Sequence, residues 1–256
     1  MDIGRYSCNI GKEVKSMGKT VVLISSKGGS GKSTVAVGLA TAFSREGKRV
    51  LLIDADEGAR CLDTMLSTDG DTVFDVRDVL LGNADYKDAM QAVDRLDNVW
   101  VIPSPLSPDP LDLGALGKLA TEVQEEFDYV IIDTKGQLPA ERLKILPKTA
   151  TFISVVTTDK IAVRNTGNLV VELNKSSITP ILIINRFKPK TTDGGYVNID
   201  NIIDTASARL LGIVPEDKNI TATNGPILIG NAAAAIFRIA SRIDGRRTPL
   251  PAIKNI

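Results

Sequence analysis

Histidine is the most informative absence, because the 256-residue sequence contains none. Without an imidazole the chain cannot build a Ser-His-Asp or Cys-His hydrolytic site, or a metal centre ligated by histidine. Its two cysteines, Cys8 and Cys61, are too few and too isolated for a disulfide framework or a zinc site, which suits a reducing compartment. The chemistry must therefore rest on carboxylates, lysines, hydroxyl groups and backbone amides.

Long apolar runs and net charge are missing as well. No apolar run approaches the roughly 20 residues that a membrane span needs, and the N-terminus is too polar for a signal peptide. The 31 basic and 31 acidic residues cancel, so no global field attracts nucleic acid or anionic lipid. We expect a cytoplasmic protein with a flexible N-terminal extension over 1–18, one domain over 19–245 and a tail over 246–256.

Apolar runs of strand length alternate with segments of helical period, which predicts an α/β fold with three layers: a mostly parallel sheet with helices on both faces. The runs are continuous in Val, Ile and Leu, as in strands buried on both faces. Proline and glycine at 189–196 predict a mobile loop. The predicted strands are 20–25, 49–54, 99–104, 129–133, 150–157 and 180–186, and the predicted helices are 32–46, 74–81, 112–126, 163–174, 199–210 and 229–243.

The segment KGGSGKST at 27–34 directly follows the first predicted strand and opens a helix, which is the context of a phosphate-binding P-loop. Its glycines let consecutive amide N–H groups face an anion, and the helix adds its positive end. Lys32 would reach the β and γ phosphates, the Ser33 hydroxyl would bind Mg²⁺, and Thr34 would contact the α phosphate. The predicted nucleotide-binding residues of this loop are Gly28, Gly29, Ser30, Gly31, Lys32, Ser33 and Thr34.

Carboxylates end two of the other predicted strands. Asp133 ends one strand, where it could hold a magnesium-bound water, although an acid that caps a helix is the alternative. Asp54 and Asp56 end another, and in extended backbone their spacing puts both side chains on one face. We interpret Asp54 as an outer-shell magnesium residue and Asp56 as the group that orients the attacking water. A solvated acidic loop remains the alternative for Asp56. The prediction is a Mg²⁺-dependent ATPase.

The order of the motifs IDADEGARCLD, FDYVIIDT, INRFKP and LGIVPED resembles the MinD/ParA group of deviant Walker A ATPases, most of all its septum-site-determining MinD branch. The resemblance spans roughly residues 19 to 245. It implies a switch that binds and hydrolyses ATP, dimerises with ATP, responds to a protein activator and acts in placing the cell-division site.

The resemblance also implies roles for particular residues. Lys27, the extra lysine of the loop, would reach across a two-fold dimer to the partner's ATP, although a phosphate contact within its own subunit is the alternative. Asn185 and Arg186 resemble an adenine-contacting pair. The loop that closes over adenine through backbone atoms would contain Pro215, Glu216 and Asp217. The segment 157–166 resembles the start of a helix at the dimer surface.

Two departures from the family pattern stand out. Lys135 replaces a proline two residues after the second aspartate, which places a cation beside the γ-phosphate switch. The final segment RRTPLPAIKNI has two prolines and too few residues for an amphipathic membrane helix. Arg238, Arg242, Arg246 and Arg247 could touch phosphate or anionic lipid, but a solvated basic face is the favoured interpretation. Either a membrane helix was removed from the tail or the protein does not dock to lipid in this way, so a peripheral position at the inner face of the cell membrane stays open.

Other functions of the wider family have less support. A DNA-segregation ATPase of the ParA type needs many cationic contacts, and the neutral composition disfavours DNA binding. Metal-centre maturation needs paired cysteines near the dimer axis, and Cys61 stands alone. Phosphate transfer to tyrosine needs a tyrosine cluster, and the four tyrosines are scattered.

Overall fold

The computed structural model describes residues 17–190, 198–220 and 229–251. Most of the predicted N-terminal extension, most of the predicted loop at 189–196 and the last five residues of the tail lie outside the described residues. Cys8 lies outside them too.

The described residues form one mixed sheet of eight strands, in the order β3-β4-β2-β5-β1-β6-β7-β8. All neighbouring strands are parallel except β3, which runs antiparallel to β4 at the edge. The strands are β1 (Lys19–Ile24), β2 (Val50–Ala55), β3 (Gln91–Ala92), β4 (Val99–Ile102), β5 (Tyr129–Thr134), β6 (Thr151–Val156), β7 (Ile181–Phe187) and β8 (Arg209–Pro215). The prediction of a mostly parallel sheet is confirmed.

Helices cover both faces of the sheet, which confirms the predicted three layers. The helices are α1 (Lys32–Arg45), α2 (Cys61–Leu66), α3 (Val76–Leu81), α4 (Tyr86–Ala89), α5 (Leu113–Glu122), α6 (Ala140–Leu143), α7 (Lys160–Asn174), α8 (Ile199–Ala206) and α9 (Asn231–Ile243). Short 3₁₀ turns occupy Asp69–Asp71 and Val123–Glu125. Helices α1, α2 and α9 pack on one face, and α3, α5, α7 and α8 pack on the other.

The central strand β5 shows why the apolar runs are continuous. Tyr129 and Ile131 point into the core beneath α1 and α9, while Val130 and Ile132 point into the core on the opposite face. Successive side chains of a strand alternate between faces, so a strand covered on both sides needs apolar residues at every position. The charged and hydroxyl side chains Asp133 and Thr134 lie only where this strand ends.

The C-terminal half differs from the sequence prediction in two places. The predicted helix 199–210 is wrong at its end, because Ser207 adopts a left-handed φ of 52° and residues 209–215 form the edge strand β8. Helix α7 begins three residues earlier than predicted, since the Asp159 side chain accepts a hydrogen bond from the Ala162 amide and caps it. The sequence also failed to predict β3, α2, α4 and α6.

Internal contacts use part of the arginine cluster at the C-terminus. Arg242 donates hydrogen bonds to the carbonyl oxygens of Leu211, Thr248 and Pro249, which fastens the described part of the tail to β8. The prediction of a solvated basic face is therefore wrong for Arg242. Arg246 pairs with Glu46. Within the described ranges, no helix combines the length and the apolar character that crossing a bilayer requires.

Candidate functional site

The predicted phosphate loop connects β1 to α1 and is shaped by glycine. Gly29 and Gly31 have positive φ values of 73° and 90°, which side chains rarely adopt. A Cβ atom at Gly31 would lie 2.2 Å from the Asn185 Nδ2 atom, so this position also lacks room for a side chain. Gly28 and Gly29 are exposed, whereas Ser30 is buried. The loop therefore offers backbone amides, not side chains, to an anion at its centre.

The first turn of α1 supplies the charged and hydroxyl groups of the loop. Lys32 is buried, while Ser33 and Thr34, which follow it, are half-buried. The helix is 14 residues long, and its unpaired N-terminal amides face the same end of the sheet. The Ser30 hydroxyl is buried without a hydrogen-bond partner among the described residues. Positive charge and unpaired donors are thus concentrated where phosphate was predicted to bind.

Asn185, at the end of β7, is held against this loop. Its Nδ2 atom donates a hydrogen bond of 2.8 Å to the Ser30 carbonyl oxygen, and its side chain is buried. The sequence resemblance had linked Asn185 to adenine alone, and nothing in the local sequence indicated a contact with the phosphate loop. Asn185 thus joins the predicted base pocket to the predicted phosphate site.

Two of the predicted carboxylates lie side by side in the centre of the sheet. Asp54 of β2 is in register with Asp133 of β5, and both are fully buried. Asp54 accepts hydrogen bonds of 3.0 Å from the amides of Asp56 and Leu62. Neither oxygen of Asp133 has a hydrogen-bond partner among the described residues. A buried carboxylate without a partner is costly, and in native proteins such a group usually meets a water or an ion.

Burial raises the pKa of both carboxyl groups above the ordinary range for aspartate. The neighbouring Asp133 charge raises the pKa of Asp54 further. The Lys32 ammonium partly offsets this rise in the pKa of Asp133. The Ser33 hydroxyl also lowers the pKa, because it lies close to the carboxylate, although the two do not form a hydrogen bond of normal geometry. A cation bound between Ser33 and Asp133 would stabilise the ionised form of the buried carboxylates, which burial and their mutual repulsion disfavour.

The donor set fits magnesium. Mg²⁺ prefers hard oxygen ligands, keeps several waters, and is often held by one or two carboxylates together with substrate phosphates. Ser33 and Asp133 supply such oxygens beside the phosphate loop. Across residues 17–190, 198–220 and 229–251, no three cysteine or carboxylate side chains are grouped so as to hold a metal by themselves. A metal here would therefore need oxygen ligands from a bound phosphate or from water.

Asp56 lies just beyond the end of β2 and remains partly exposed. Its amide donates to Asp54, so the buried carboxylate fixes the backbone from which the Asp56 side chain leaves. Burial raises the pKa of Asp56, while the cations of Lys32 and Lys135 lower it. The Asp56 carboxylate thus lies within the electrostatic field of Lys32 and Lys135, and its role beside a γ-phosphate stays a prediction.

Lys27 is the exposed lysine of the phosphate loop and contacts the start of α7. Its Nζ atom is 3.6 Å from the Asp159 Oδ1 atom. Ser26, which replaces the first glycine of the usual loop, makes two contacts with the same helix. Its hydroxyl donates to the Ala162 carbonyl at 3.0 Å and lies 2.8 Å from the Thr166 hydroxyl. Nothing in the local sequence around Ser26 indicated this link.

The five residues of the predicted adenine pocket meet at the ends of β7 and β8. Arg186 is exposed and has a left-handed φ of 52°, at an irregularity in the pairing of the two strands. Pro215, the last residue of β8, is buried and is in register with Phe187 of β7. The Glu216 side chain pairs with Lys188.

Asp217 accepts hydrogen bonds from the Asn219 and Ala232 amides and thereby caps α9. The side chains of Glu216 and Asp217 are thus occupied by protein contacts. Closure of this loop over adenine through backbone atoms stays a prediction.

Comparison with known proteins gives the relatives of the chain. Residues 21–225 match the family described as the CobQ/CobB/MinD/ParA nucleotide binding domain. The chain is 30% identical to the septum site-determining protein MinD of Synechocystis over 244 residues. The aligned region covers 91% of this chain and 92% of that protein.

Solved structures give the same result. The MinC:MinD cell division protein complex of Aquifex aeolicus matches with a TM-score of 0.82 and 29% identity over 92% of this chain and 99% of that one. MinD of Pyrococcus horikoshii, solved in complex with Mg-ADP, matches with a TM-score of 0.75 and 23% identity, and the match covers 89% of this chain and 96% of that one. This likeness shows that the fold is shared.

Proposed function

Because this chain belongs to the CobQ/CobB/MinD/ParA family of nucleotide-binding domains, we propose that it is an ATP-driven switch that pairs with a second copy when ATP is bound. Hydrolysis then separates the two copies. The observation that carries this proposal is the position of Lys27, an exposed side chain of the phosphate loop whose Nζ atom lies 3.6 Å from the exposed Asp159 carboxylate.

The proposed ATPase reaction assigns a role to each group in the site. The amides of 28–31 and the Lys32 ammonium bind the β and γ phosphates. Ser33 and Asp133 would hold Mg²⁺, with Asp54 beside them. When bound, Mg²⁺ would neutralise the charge that develops on the phosphate oxygens. Asp56 orients the attacking water and receives its proton.

The dimer follows from the charge of Lys27. Within one subunit its counter-ion is Asp159, and both side chains are about half exposed, at 52% and 44%. Exposed pairs of this kind contribute little to stability. A triphosphate on a second copy offers a larger and more concentrated negative charge, so the lysine can exchange one partner for the other. Association then depends on the bound nucleotide, because only ATP carries the γ-phosphate.

The proposed biological role is positioning of the cell-division site. It is supported by the Synechocystis relative, which is a septum site-determining protein, and by the Aquifex structure, in which MinD is in complex with MinC. We infer that a protein partner binds the dimer and speeds hydrolysis. Action in the cytoplasm, at the inner face of the membrane when a surface is engaged, fits this role.

Metal-centre maturation and DNA segregation, the alternative functions, have less support from individual side chains. Burial raises the pKa of the Cys61 thiol to about 11, which disfavours the thiolate that a metal-centre maturation factor would need. DNA segregation is disfavoured because net charge is zero and Arg242 is used internally. Neither alternative changes the proposed nucleotide chemistry.

Phosphate release from ATP, with and without Mg²⁺, tests the proposed reaction, with Lys32→Ala as the inactive reference. Cosedimentation of Asp56→Ala with liposomes or DNA in ATP then tests the role, since loss of hydrolysis should hold the protein in its binding-competent state. Pelleting with DNA would move the protein to the segregation class. A wild-type protein that neither binds nor hydrolyses ATP would end the proposal.

A further inference from the structure

Glu57 is a buried acid in the loop that directly follows Asp56. Only 5% of the residue is exposed. Its Oε1 atom accepts a hydrogen bond of 2.9 Å from the Leu111 amide. Its Oε2 atom has no hydrogen-bond partner among the described residues and faces the Lys135 Nζ atom at 3.7 Å. A carboxylate in such a place requires a compensating cation, and Lys135 supplies it.

Lys135 holds the backbone of this loop as well as its side chain. The Nζ atom donates a hydrogen bond of 3.4 Å to the Glu57 carbonyl oxygen. On the other side, the Gly58 amide donates to the Pro105 carbonyl oxygen at 3.0 Å. The peptide between Glu57 and Gly58, one residue after Asp56, is therefore fixed from two directions, and one of the two attachments is the lysine.

The loop that carries Lys135 is itself attached to the phosphate loop. The Thr134 hydroxyl donates to the Leu23 carbonyl oxygen at 2.7 Å, and the Gln137 amide donates to the Ser25 carbonyl oxygen at 2.9 Å. Gly136 is packed so closely that an added Cβ atom would lie 3.2 Å from the Gly28 Cα atom. Lys135 thus projects from a segment whose position is set by the phosphate-binding backbone.

We propose that Lys135, acting through Glu57, is a positioning residue of the ATPase: the pair sets the distance between Asp56 and the phosphate loop. The inference rests on the proposed ATPase function. The proposal accounts for Glu57 and Lys135 together. The buried Glu57 carboxylate requires a cation, and the Lys135 ammonium forms an ion pair with it. Displacement of a water-orienting group by about 1 Å can cost roughly 10²-fold in rate, so a small slackening of this loop should be measurable.

The test compares steady-state ATP hydrolysis by the full chain and its variants. Lys135→Met keeps an unbranched side chain one atom shorter and removes the charge, and it should lower kcat about tenfold or more. KM for ATP should change by less than about twofold, because the phosphate-binding groups are untouched. Lys135→Arg should restore most of the loss, since it keeps a cation with several donors.

Glu57→Gln and the double variant Glu57→Gln/Lys135→Met complete a cycle. If the two residues act as one unit, the double variant should be no slower than Lys135→Met alone. The matched control is Lys175→Met, which removes another lysine from an ion pair, with Glu172 at 2.6 Å, at the far end of α7. It should keep wild-type kcat. ADP affinity and thermal unfolding, measured on every variant, identify any variant that fails to fold. If Glu57→Gln fails to fold, Lys135→Met and Lys135→Arg still decide the question.

Three results would overturn the inference: wild-type kcat in Lys135→Met, no recovery in Lys135→Arg, or losses in the double variant that simply multiply. Failure of the proposed function looks different, because the wild-type protein itself would then show no turnover, and the inference would fall with it.

Discussion

The Lys27 Nζ atom lies 3.6 Å from the Asp159 Oδ1 atom and joins the phosphate loop to the residue that caps α7. The Ala162 amide lowers the pKa of Asp159, and Lys27 lowers it further. Ser26 fastens the same loop to α7 through two separate contacts. Release of Lys27 therefore leaves the helix attached, so the lysine is free to change partners without unfolding the loop.

Asp159→Asn should strengthen ATP-dependent association. Asparagine still caps the helix, but it no longer competes for the Lys27 charge. We expect the dimer to form at a protein concentration lower by roughly twofold to fivefold, which sedimentation velocity over a dilution series would measure. Glu172→Gln, which removes an exposed pair with Lys175 from the other end of α7, is the control. A weaker dimer in Asp159→Asn would show that the aspartate supports association and does not restrain it.

Asp133→Asn should abolish ATP hydrolysis and stabilise the nucleotide-free protein at high pH. In the nucleotide-free protein burial raises the folded pKa of Asp133 above its unfolded value, so the folded state binds more protons at intermediate pH. The free energy of unfolding should therefore fall as pH rises from about 4 through the raised pKa, and level off above it.

Removing the charge should raise the free energy of unfolding at pH 8 by roughly 1–3 kcal/mol and have little effect near pH 4, where the carboxyl group is protonated in the folded state. Urea denaturation in EDTA at both pH values measures this, with the exposed Asp204→Asn as control. Hydrolysis should be lost. Equal destabilisation at both pH values would mean that Asp133 is needed for packing and not for binding a cation.

Asn185→Ala should weaken nucleotide binding more than it weakens the fold. The change removes the hydrogen bond that holds the Ser30 carbonyl oxygen and leaves that group unpaired. A loss of about 1–2 kcal/mol, or about tenfold in the ADP dissociation constant, is the expected size. Isothermal titration calorimetry measures it, with the exposed Asn174→Ala as control. Unchanged ADP affinity would show that the contact plays no part in shaping the phosphate loop.

The sequence was most informative where strands end. The phosphate loop, Asp54, Asp56 and Asp133 could be predicted because each follows a continuous apolar run, and chain order alone puts such ends at one edge of a parallel sheet. That Asp54 and Asp133 are direct neighbours depends on strand order, which those runs do not contain.

Other features depend on contacts between distant residues. The hydrogen bond between Lys135 and Glu57 joins positions 78 residues apart, and the bond from Ser26 to Ala162 joins positions 136 apart. Neither leaves a local pattern. The strand β8 was missed because a helical period runs on past Ser207, whose left-handed backbone ends the helix.

The most direct test of the switch is sedimentation velocity of the Asp56→Ala protein in Mg-ATP and in Mg-ADP, repeated with Lys27→Ala added. We predict a dimer in ATP, a monomer in ADP, and a monomer in both nucleotides once Lys27 is replaced, with nucleotide binding retained. A dimer that persists without the Lys27 ammonium, or a protein that stays monomeric in ATP with Lys27 present, would contradict the proposal that this lysine joins two copies through bound ATP.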